Sequence, residues 1–591
     1  MLIHATDGFS GRLRRITRPI RVLTRRILGP SKPTTGHTEL PGPSSSLTIS
    51  STIGNRSWTY HPDSFFNRIT IPYGLYPFLL LWIGCFIILV RQQYYTPNTP
   101  QIISCNAAPW DDWPPDTCGI NGGNCKDDLE SIDNQSFRCL GGCANSKLGN
   151  PRYVGAEKVD GTTLVIGGGD DEGTYRADSW LCPSALHSSL ISPTLGGCIN
   201  FHSLPYPNGY SNYQSSFSNN INSTSFEPSY PGAYRIFSYG TSNGCLDLHY
   251  IVTGFNAFCL LITILLLNPP SSLLFIILLV GGYFHLVLFA NPPSIPPNWE
   301  TIFAGLPPIL LAGYWFWKLS FKRTLAGFKD LPVELALWQG LGYWLGLESS
   351  TIFSKLPITR LGYDALDPAG VISLVCIVVV VVIVVAIQAW QMRKYGLLRY
   401  YLIRYIPLVP LLIILAFLPN YSLRLHHYLL AIIAIPVLSL PNRISLFGQA
   451  FALGLFLDGT GRWGWDGLIQ LTGSLVGDAN TGSFVPSFWS NLTTPTTIHF
   501  DPIESIDQIY NVTGFSVLVD DIQHSGNYSN SSIDMTSLNL TQGIDHYLRI
   551  AYIANGTSLD FTDPVVWYAN SSWSELWAGV SDGIGNITTD L

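Results

Sequence analysis

An apolar run covers residues 369–387, AGVISLVCIVVVVVIVVAI, and contains no charged residue. Only Ser373 and Cys376 interrupt its aliphatic side chains. A half-buried strand would alternate polar and apolar positions, and a helix on a soluble core would have a polar face; this run has neither pattern. Its nineteen residues match the ~20 that a helix needs to cross ~30 Å of hydrocarbon. The run predicts a membrane-spanning helix.

Further apolar runs bring the predicted number of spans to about nine. They cover residues 74–90, 251–267, 271–290, 302–317, 332–347, 402–418, 428–440 and 444–457. Residues 332–347 contain Glu334 and three glycines, and we count them because the basic residues that follow the 369–387 run would otherwise lie outside. The last two runs are short and predict either two tilted spans or one re-entrant hairpin, which leaves seven full spans plus a hairpin as the alternative.

Charge asymmetry predicts the orientation of these spans. Residues 1–70 carry seven arginines between Arg12 and Arg26 and no long apolar run, which indicates a disordered cytosolic tail. The alternative for its basic part is a short helix on an anionic membrane surface. With an odd number of spans, the C-terminus lies on the lumenal or extracellular side. We therefore expect a multi-pass protein of the secretory or endomembrane system or of the plasma membrane.

Residues 91–249, between the first two spans, hold eight of the eleven cysteines. An even number of cysteines crowded into one non-cytosolic segment predicts a disulfide framework. A zinc site is the alternative, although the spacings do not form two C-x2-C pairs. The candidates are Cys105, Cys118, Cys125, Cys139, Cys143, Cys182, Cys198 and Cys245.

From residue 463 to the C-terminus the hydrophobic pattern changes to short alternating runs separated by Gly, Asn and Ser. This pattern predicts strands, and the length suits a β-sandwich. N-glycosylation sequons crowd the same segment and also occur in the cysteine-rich one, which is typical of a secreted or lumenal glycoprotein. The candidate sites are Asn134, Asn222, Asn491, Asn511, Asn527, Asn530, Asn539, Asn555, Asn570 and Asn586.

Composition excludes one class of partner. Hydrophobic residues make up 47% of the chain and charged residues 12%, and the net charge is −7. Outside the N-terminal tail the surplus charge is acidic, so we expect membrane lipids and no nucleic acid as partners. Hydrolase and kinase motifs are absent from the sequence, and we expect no cofactor.

Three separated blocks resemble one family. The first contains CGINGGNC at 118–125, FRCLGGC at 137–143, YRADS at 175–179, CPSALH at 182–187 and GGC at 196–198. The others are FSKLPITRLGYD at 353–364 and LHHY at 425–428, followed by Asn442-Arg443 and RWG at 462–464. Together they are similar to fungal multi-span membrane proteins that carry an LCCL domain. Pro183 and Ser184 depart from the family's usual alanines.

The resemblance implies a disulfide-rich α+β module at residues 91–249. LCCL domains are thought of as extracellular binding modules with glycan or lipid-like ligands, and the family has no assigned activity. The expected architecture is thus a membrane α-helical bundle of about nine spans with two outer domains, the LCCL-like module and a C-terminal β-sandwich at 463–591. The bundle itself covers residues 74–90 and 250–460.

Ionisable residues near membrane spans indicate a second hypothesis. The predicted spans bring a few such residues to a similar depth near the outer face: His285, His426, His427, Asp458 and Arg462. Imidazoles and a carboxylate are ligand types of catalytic zinc, so His285, His426 and Asp458 are candidate metal ligands. The alternative is that these residues only form hydrogen bonds and ion pairs with one another. Adjacent His426 and His427 point about 100° apart on a helix, so at most one of them easily faces a shared site.

The leading functional hypothesis is a non-enzymatic membrane protein whose outer domains bind a glycan, a cell-wall component or a lipid headgroup. The second is an intramembrane metal-dependent lipid hydrolase that uses His285, His426 and Asp458. The third is a transporter, because Pro307-Pro308 and Pro436 would break helices at membrane depth.

Overall fold

The computed structural model describes residues 28–30, 47–53, 56–110, 125–148, 152–204, 209–240, 243–353, 368–419, 421–423, 426–465, 467–471, 485–491, 494–500, 512–528, 532–538, 540–554, 557–574 and 577–578. The chain divides into two compact units. The helical unit comprises Met1–Leu89, Ile251–Pro293 and Pro297–Leu471. The β-rich unit comprises Val90–Tyr250, Ser294–Pro296 and Thr472–Leu591.

Within the described residues, seven helices are long and apolar enough to cross a membrane. They are Pro72–Tyr94, His249–Leu267, Ser271–Ala290, Trp299–Gly327, Val371–Lys394, Leu398–Ala416 and Arg443–Trp463. A shorter apolar helix, Tyr428–Val437, precedes the last of them. Residues 332–347 are also helical, in the segments Pro332–Glu334, Leu335–Gly340 and Leu341–Leu347. The expectation of several apolar helices is confirmed, and the count of nine spans stays a prediction.

Two of the predicted spans differ in extent from the observed helices. The run at 444–457 belongs to a longer helix, Arg443–Trp463, because Asn442 caps its first turn by accepting a hydrogen bond from the Ser445 N–H at 2.7 Å. The run at 402–418 is divided into Leu398–Tyr405 and Leu408–Ala416, with Pro407 at the break. Proline has no N–H for the helical ladder, which accounts for the interruption.

The charge that made residues 332–347 the weakest predicted span has a partner. Both guanidinium nitrogens of Arg443, Nε and Nη2, donate to Glu334 at 2.6 Å. Glu334 is buried, and a bidentate pair of this kind offsets part of the cost of removing a carboxylate from water. In the sequence Arg443 stood out only as part of the Asn442-Arg443 family block; the structure shows it pairing with another helix.

The N-terminal tail contains more structure than expected. The expectation of disorder is not met at residues 47–53 and 56–70, where a hairpin of Ile49–Ile53 and Arg56–Tyr60 leads into a helix, Pro62–Ile69. Asp63 accepts a hydrogen bond from the Val333 N–H at 2.8 Å. Asn67 donates to the Asp330 carbonyl at 2.9 Å. These contacts with another helix were not readable from the tail's composition. The arginine-rich stretch itself, residues 12–26, lies outside the described residues.

The first part of the β-rich unit, residues 101–250, is called here the cysteine-rich module. Its described sheet has the strand order Gln101–Ile103, Ser136–Cys139, Gly197–Ser203, Ala233–Ser238 and Tyr175–Arg176, with only the first pair parallel. Helices Cys125–Ser131 and Leu181–His187 and the hairpins Arg152–Val154/Glu157–Val159 and Phe217–Ser218/Ile221–Asn222 complete it. The expected α+β module is therefore present.

Three disulfides tie this module together, Cys105–Cys143, Cys139–Cys182 and Cys198–Cys245. Cys125 is also disulfide-bonded. Cys118 lies outside the described residues. The predicted disulfide framework is thus confirmed for the seven candidates that the structure describes, and in them the thiolates that a zinc site would need are consumed.

The second part, residues 485–578, is called here the sandwich module. Within the described residues one sheet has the order Ser532–Asp534, Thr494–Phe500, Phe488–Asn491, Trp577–Ala578. The other has the order Ile522–Tyr528, Val512–Val519, His546–Ala554, Thr557–Phe561, and Val565–Trp567 also pairs with His546–Ala554. One core joins Phe488, Ile498 and Phe500 of the first sheet to Phe515, Val517 and Ile550 of the second. This is the two-layer arrangement that the alternating pattern predicted.

Two helices of the helical unit approach closely through glycines. Gly342 and Gly346 are four residues apart on one face of Leu341–Leu347, and Gly454 faces them from Arg443–Trp463. A Cβ at Gly342 would lie 2.5 Å from the Phe447 carbonyl oxygen, and a Cβ at Gly346 or Gly454 would overlap backbone atoms of the facing helix. Small residues at this spacing allow helix backbones to pack in a membrane.

We therefore expect Gly454→Val to lower the thermal unfolding temperature of the detergent-solubilised protein, with a loss of roughly 1–3 kcal/mol from overpacking. Gly340→Ala is the matched control, because a Cβ there meets no atom within 4 Å. That variant should be neutral or more stable by up to about 1 kcal/mol, the usual gain from replacing glycine inside a helix. Equal unfolding temperatures for G454V and the unmodified protein would contradict the tight packing.

Candidate functional site

A two-residue turn of the sandwich module carries the central feature of the β-rich unit. Strands Val512–Val519 and Ile522–Tyr528 are joined by Asp520 and Asp521, whose φ angles are 53° and 63°. Positive φ at both central residues defines a type I′ hairpin turn, and Asp enters that region more readily than most residues with a Cβ. The sequence therefore places two carboxylates together at the tip of a hairpin.

Asp521 forms a buried ion pair with the cysteine-rich module. Arg176 donates from Nη1 to Asp521 at 2.7 Å, and from Nε and Nη2 to both oxygens of Asp178 at 2.8 and 2.6 Å. Arg152 also donates to Asp178, at 2.7 Å. The side chain of Arg176 is fully buried, so two cations and two carboxylates balance one another away from water.

The pKa values of this group follow from that arrangement. Burial lowers the pKa of the Arg176 guanidinium, but Asp178 and Asp521 more than offset it and hold that pKa above its ordinary value. Burial raises the pKa of Asp178, and the charges of Arg176 and Arg152 lower it further than burial raises it. Arg176 and Asp178 thus stay ionised and paired across the physiological pH range.

Apolar contacts join the two modules around the ion pair. The guanidinium of Arg176 stacks between the rings of Phe226 and Tyr230, 4.4 and 4.5 Å from their centroids. Ile522, next to the turn, is buried in the same core as these residues of the cysteine-rich module. A cation between aromatic faces is worth more when it is desolvated, as here. The turn is therefore held by charge and by packing.

Tyr547 of the sandwich module is the second bridge. Its ring lies 6.2 Å from that of Phe226, and its N–H donates to Asp520 at 3.0 Å. On the other side it covers Gly155, where a Cβ would approach the tyrosine ring to 2.9 Å. Gly155 has a φ of 58° and donates its N–H to Asp521 at 3.1 Å. Both the close approach and the positive φ require glycine at this position.

These bridges frame a polar cleft of about 460 Å³ between the two modules. That volume is within the range of roughly 300–1,000 Å³ typical of ligand sites. The lining consists of one hairpin turn, one pair of extended segments and one residue of the sandwich module: Val154, Gly155, Ala156, Glu157, Asn212, Tyr213, Ser225, Phe226, Glu227 and Tyr547. Both charged members of this set, Glu157 and Glu227, are exposed carboxylates.

The charges that act on the tyrosine of the cleft are negative. Burial raises the pKa of the Tyr547 hydroxyl, and the charges of Asp545, Asp520, Glu227 and Asp521 raise it further. All four of these charges are carboxylates, so each opposes the appearance of a phenolate. The same field repels an anion and attracts a cation in the cleft.

A histidine contacts the turn through the carboxylate of Asp520. His546 Nδ1 lies 2.7 Å from Asp520, and Nε2 lies 2.8 Å from the Thr541 carbonyl. A carbonyl only accepts hydrogen bonds, so Nε2 carries a proton, and the short Nδ1 contact requires another proton between the imidazole and the carboxylate. The folded pair thus holds one proton more than a neutral histidine with an ionised aspartate.

The residues that sequence analysis singled out in the membrane spans have separate partners. His285 is buried; its Nε2 lies 3.0 Å from Glu348 and its Nδ1 lies 3.1 Å from the Asn256 amide nitrogen. The Asn256 oxygen accepts from the Trp82 indole at 2.7 Å, which fixes the orientation of the amide. Nδ1 is therefore an acceptor, and Nε2 donates to Glu348. Both ring nitrogens are occupied.

Asp458 lies in a second polar group. Its carboxylate accepts from Ser349 at 2.8 Å, from Ser350 at 2.5 Å and from Asn291 at 3.1 Å. Because Ser349 follows Glu348 in the chain, the two groups are neighbours, and His285 and Asp458 each have their own protein partners. Hydrogen bonds from neutral donors are the usual way to accommodate a buried carboxylate.

The other three predicted residues do not complete a metal site. His426 Nε2 lies 3.3 Å from the Gly467 carbonyl, and the Arg462 guanidinium lies 4.5 Å from the Trp463 ring centre. His427 begins the helix His427–Val437. Among the described residues, no three His, Cys, Asp or Glu side chains are grouped so that they could hold a metal ion. The hydrogen-bond partners described above for His285 and Asp458 are residues outside the predicted set.

The glycosylation candidates stay predictions. Asn134, Asn222 and Asn570 are exposed, as a glycan acceptor must be. Asn491 and Asn527 lie on strands. The remaining candidates lie outside the described residues: Asn511, Asn530, Asn539, Asn555 and Asn586.

Sequence reasoning missed the residues that form the cleft. Arg176 and Asp178 lie inside the YRADS block, which was used only as a family signature. The Asp-Asp pair at 520–521 between two alternating runs is a readable hairpin signal. Its partner Arg176 is 345 positions away, and no local pattern connects the two.

Residues 103–231 match the model of the LCCL domain, so the β-rich unit contains an LCCL domain. The resemblance drawn from the cysteine spacing and the YRADS block is confirmed for this part of the chain. The chain is also similar, over most of its length, to the uncharacterized protein YIL067C of Saccharomyces cerevisiae. The two are 29% identical over 553 residues, which cover 83% of this chain and 79% of the yeast protein. No solved structure matches the chain.

Removing the central guanidinium should destabilise the β-rich unit. We expect Arg176→Leu to cost roughly 3–5 kcal/mol, because it leaves buried Asp521 without its cation and Asp178 with Arg152 alone. Arg235→Leu is the matched control, since Arg235 pairs with Glu172 at a site that is partly open to water, and an exposed pair contributes only about 0–1 kcal/mol. Thermal unfolding followed by tryptophan fluorescence measures both losses. Similar losses in the two variants would show that the buried pair is not central.

The His546–Asp520 pair predicts a pH dependence. Burial lowers the pKa of His546, but Asp520 and the Thr541 carbonyl raise it above its ordinary value of 6.5; burial raises the pKa of Asp520. The folded state therefore binds the His546 proton more tightly, so the stability that His546 contributes is full below about pH 6.5 and is lost as pH rises through its folded pKa. The contribution of Asp520 has the same sign but is full only below its ordinary pKa of 3.8. We expect a contribution of roughly 1.5–3 kcal/mol.

The measurement is the difference in unfolding free energy between the unmodified protein and His546→Gln from about pH 5.5 to 8.5. Taking a difference removes the opposing effect of His524, whose pKa burial lowers to about 4 and whose contribution is lost as pH falls. Asp520→Asn should reduce the difference in the same pH range. A difference that is constant with pH would contradict the shared proton.

Proposed function

We propose that this chain is a membrane protein whose β-rich unit binds a glycan in the cleft between the LCCL domain and the sandwich module. The observation that carries the proposal is the cleft itself. It combines an aromatic residue, Tyr547, with an amide, a hydroxyl and two carboxylates from Asn212, Ser225, Glu157 and Glu227. Such groups recognise the hydroxyl groups and the apolar faces of a sugar ring.

Two further observations support a binding role. LCCL domains are in general ligand-binding modules, and the cleft is lined mostly by residues of this domain. The ion pair between Arg176 and Asp521, the buried Ile522 and the contact of Tyr547 with Gly155 hold both walls of the cleft in place before a ligand arrives. A preformed site loses less entropy on binding.

The charges favour a glycan over the lipid headgroup that the sequence left open. Most lipid headgroups carry a phosphate, and both charged residues in the lining, Glu157 and Glu227, would repel it. Neutral sugars have no such penalty, and their hydroxyls donate readily to carboxylates.

The proposal places the β-rich unit on the lumenal or extracellular side. Seven candidate spanning helices support the membrane location, and disulfides are typical of an oxidising compartment. Because the LCCL domain and the sandwich module share buried contacts, both must lie on the same side of the membrane. The sequons in both modules accord with that side.

The hydrolase and the transporter have less support. The two nitrogens of His285 are engaged by Glu348 and Asn256, which leaves neither for a metal ion. Pro307 and Pro308 lie inside the helix Trp299–Phe316 without ending it, so they do not create the broken helix that a transport site would use.

The test uses the full-length protein in nanodiscs on an array of immobilised oligosaccharides. We expect binding to a subset of glycans, and at least a tenfold loss of affinity in Asn212→Ala combined with Tyr547→Phe, because these changes remove an amide and a hydroxyl from the cleft. Glu130→Gln, an exposed residue of the helix Cys125–Ser131, is the control and should bind normally.

Vesicles that contain anionic phospholipid serve as the competing ligand. Binding to the vesicles with no glycan retained on the array would contradict the proposal and favour a headgroup site. Glycan binding that is unaffected by the cleft variants would place the ligand elsewhere on the protein.

A further inference from the structure

The charges around the cleft narrow the ligand class, provided that the cleft binds glycans as proposed above. Glu157 and Glu227 lie in the lining and are exposed. Asp545, Asp520 and Asp521 act on the hydroxyl of Tyr547 in the same sense as Glu227. A neutral sugar uses carboxylates only as hydrogen-bond acceptors, so hydroxyl recognition alone does not account for an excess of negative charge.

The buried arginines next to the cleft do not cancel this field, and the exposed Lys158 extends over the ring of Tyr153 and is not part of the lining. Arg176 lies beneath Phe226, but its charge is balanced by Asp178 and Asp521 at hydrogen-bond distance. Arg152 also donates to Asp178, so the buried group as a whole has two positive and two negative charges. Coulomb attraction between such close pairs confines their field to the immediate surroundings. The carboxylates of the lining therefore determine the sign of the potential.

Asp521 adds a further carboxylate next to the lining. Its side chain is 4% exposed and its Oδ2 accepts from Arg176 and Gly155. Its Oδ1 is buried and accepts no hydrogen bond among the described residues. Gly155 is part of the cleft lining, whereas Asp521 is not.

The cation is organic rather than a metal ion. The described residues contain no group of three His, Cys, Asp or Glu side chains suited to a metal. An ammonium needs only two or three acceptors and tolerates varied geometry. The amide of Asn212, the hydroxyl of Ser225 and the phenol of Tyr547 remain available in the lining for the hydroxyls of the same ligand.

We propose that the cleft selects a glycan that carries a primary ammonium, that is, an amino sugar whose nitrogen is not acetylated. Glu227 and Glu157 bind the ammonium, and Asn212, Ser225 and Tyr547 bind the neighbouring hydroxyls and the ring. Acetylation removes the positive charge and enlarges the nitrogen substituent, so it weakens binding both through charge and through size. No covalent step is involved.

The experiment compares two oligosaccharides with the same backbone, a β-1,4-linked glucosamine tetramer and its fully N-acetylated form. Binding to the full-length protein in nanodiscs is measured by calorimetry at about pH 5.5, where an amine is protonated and a glutamate is mostly ionised. We expect the glucosamine tetramer to bind at least tenfold more tightly. This preference should shrink as salt is raised, because the attraction between partly exposed charges is screened.

Glu227→Gln keeps the size of the side chain and removes the charge. It should weaken binding of the glucosamine tetramer at least threefold more than binding of the acetylated tetramer, which a general loss of folding would not do. Glu130→Gln, outside the lining, should preserve the preference. Glu157→Gln provides a second test within the lining, and its effect should have the same sign.

Each alternative result has a distinct meaning. Equal affinity for both tetramers, or tighter binding of the acetylated one, overturns the ammonium selectivity while the glycan-binding cleft stands. A preference that E227Q and E157Q both leave unchanged overturns the assignment to this cleft. If neither tetramer binds and the oligosaccharide array is also empty, the glycan-binding function fails together with the selectivity.

Discussion

The buried guanidinium of Arg176 is the group on which the β-rich unit depends. It is the only side chain described here that contacts carboxylates of both modules, Asp178 in the LCCL domain and Asp521 in the sandwich module. A guanidinium with no exposure must have its charge compensated and most of its donors bonded, so its two partners cannot be placed independently. The cost of burying one charge thereby fixes the relative position of two folds that are otherwise separate.

The properties of the cleft follow from the same constraint. Because Asp521 is drawn down to Arg176, the turn brings Asp520 against the backbone of Tyr547, and the tyrosine ring is set over Gly155. The ion pair is neutral as a whole, and what remains on the surface is the uncompensated charge of Glu157 and Glu227. The buried charges compensate one another, whereas the exposed carboxylates at the rim stay hydrated and therefore need no partner.

The sequence could predict the elements but not their tertiary pairs. Apolar runs gave the helices, and alternating runs gave strands at Val512–Val519 and His546–Ala554, because period and length are local properties. Cysteine spacing and the YRADS block gave the LCCL domain. The pairs Glu334–Arg443 and Arg176–Asp521 join residues 109 and 345 positions apart, and a single sequence holds no signal for such contacts. Glu334 consequently looked like a defect in a span, when it is one half of an ion pair.

The same reasoning explains why the candidate site lies in the β-rich unit and not among the membrane helices. Burying an ionisable residue in a span costs free energy, and either a ligand or a protein partner can offset that cost. For His285 the partner is the protein itself: Trp82 orients Asn256, which accounts for Nδ1 and leaves Nε2 to donate to Glu348. Asp458 accepts from two serines and an asparagine in the same way. Side chains satisfied like this specify how helices pack, whereas exposed carboxylates and a tyrosine at the edge of an open cleft keep their capacity to bond something that arrives from solution.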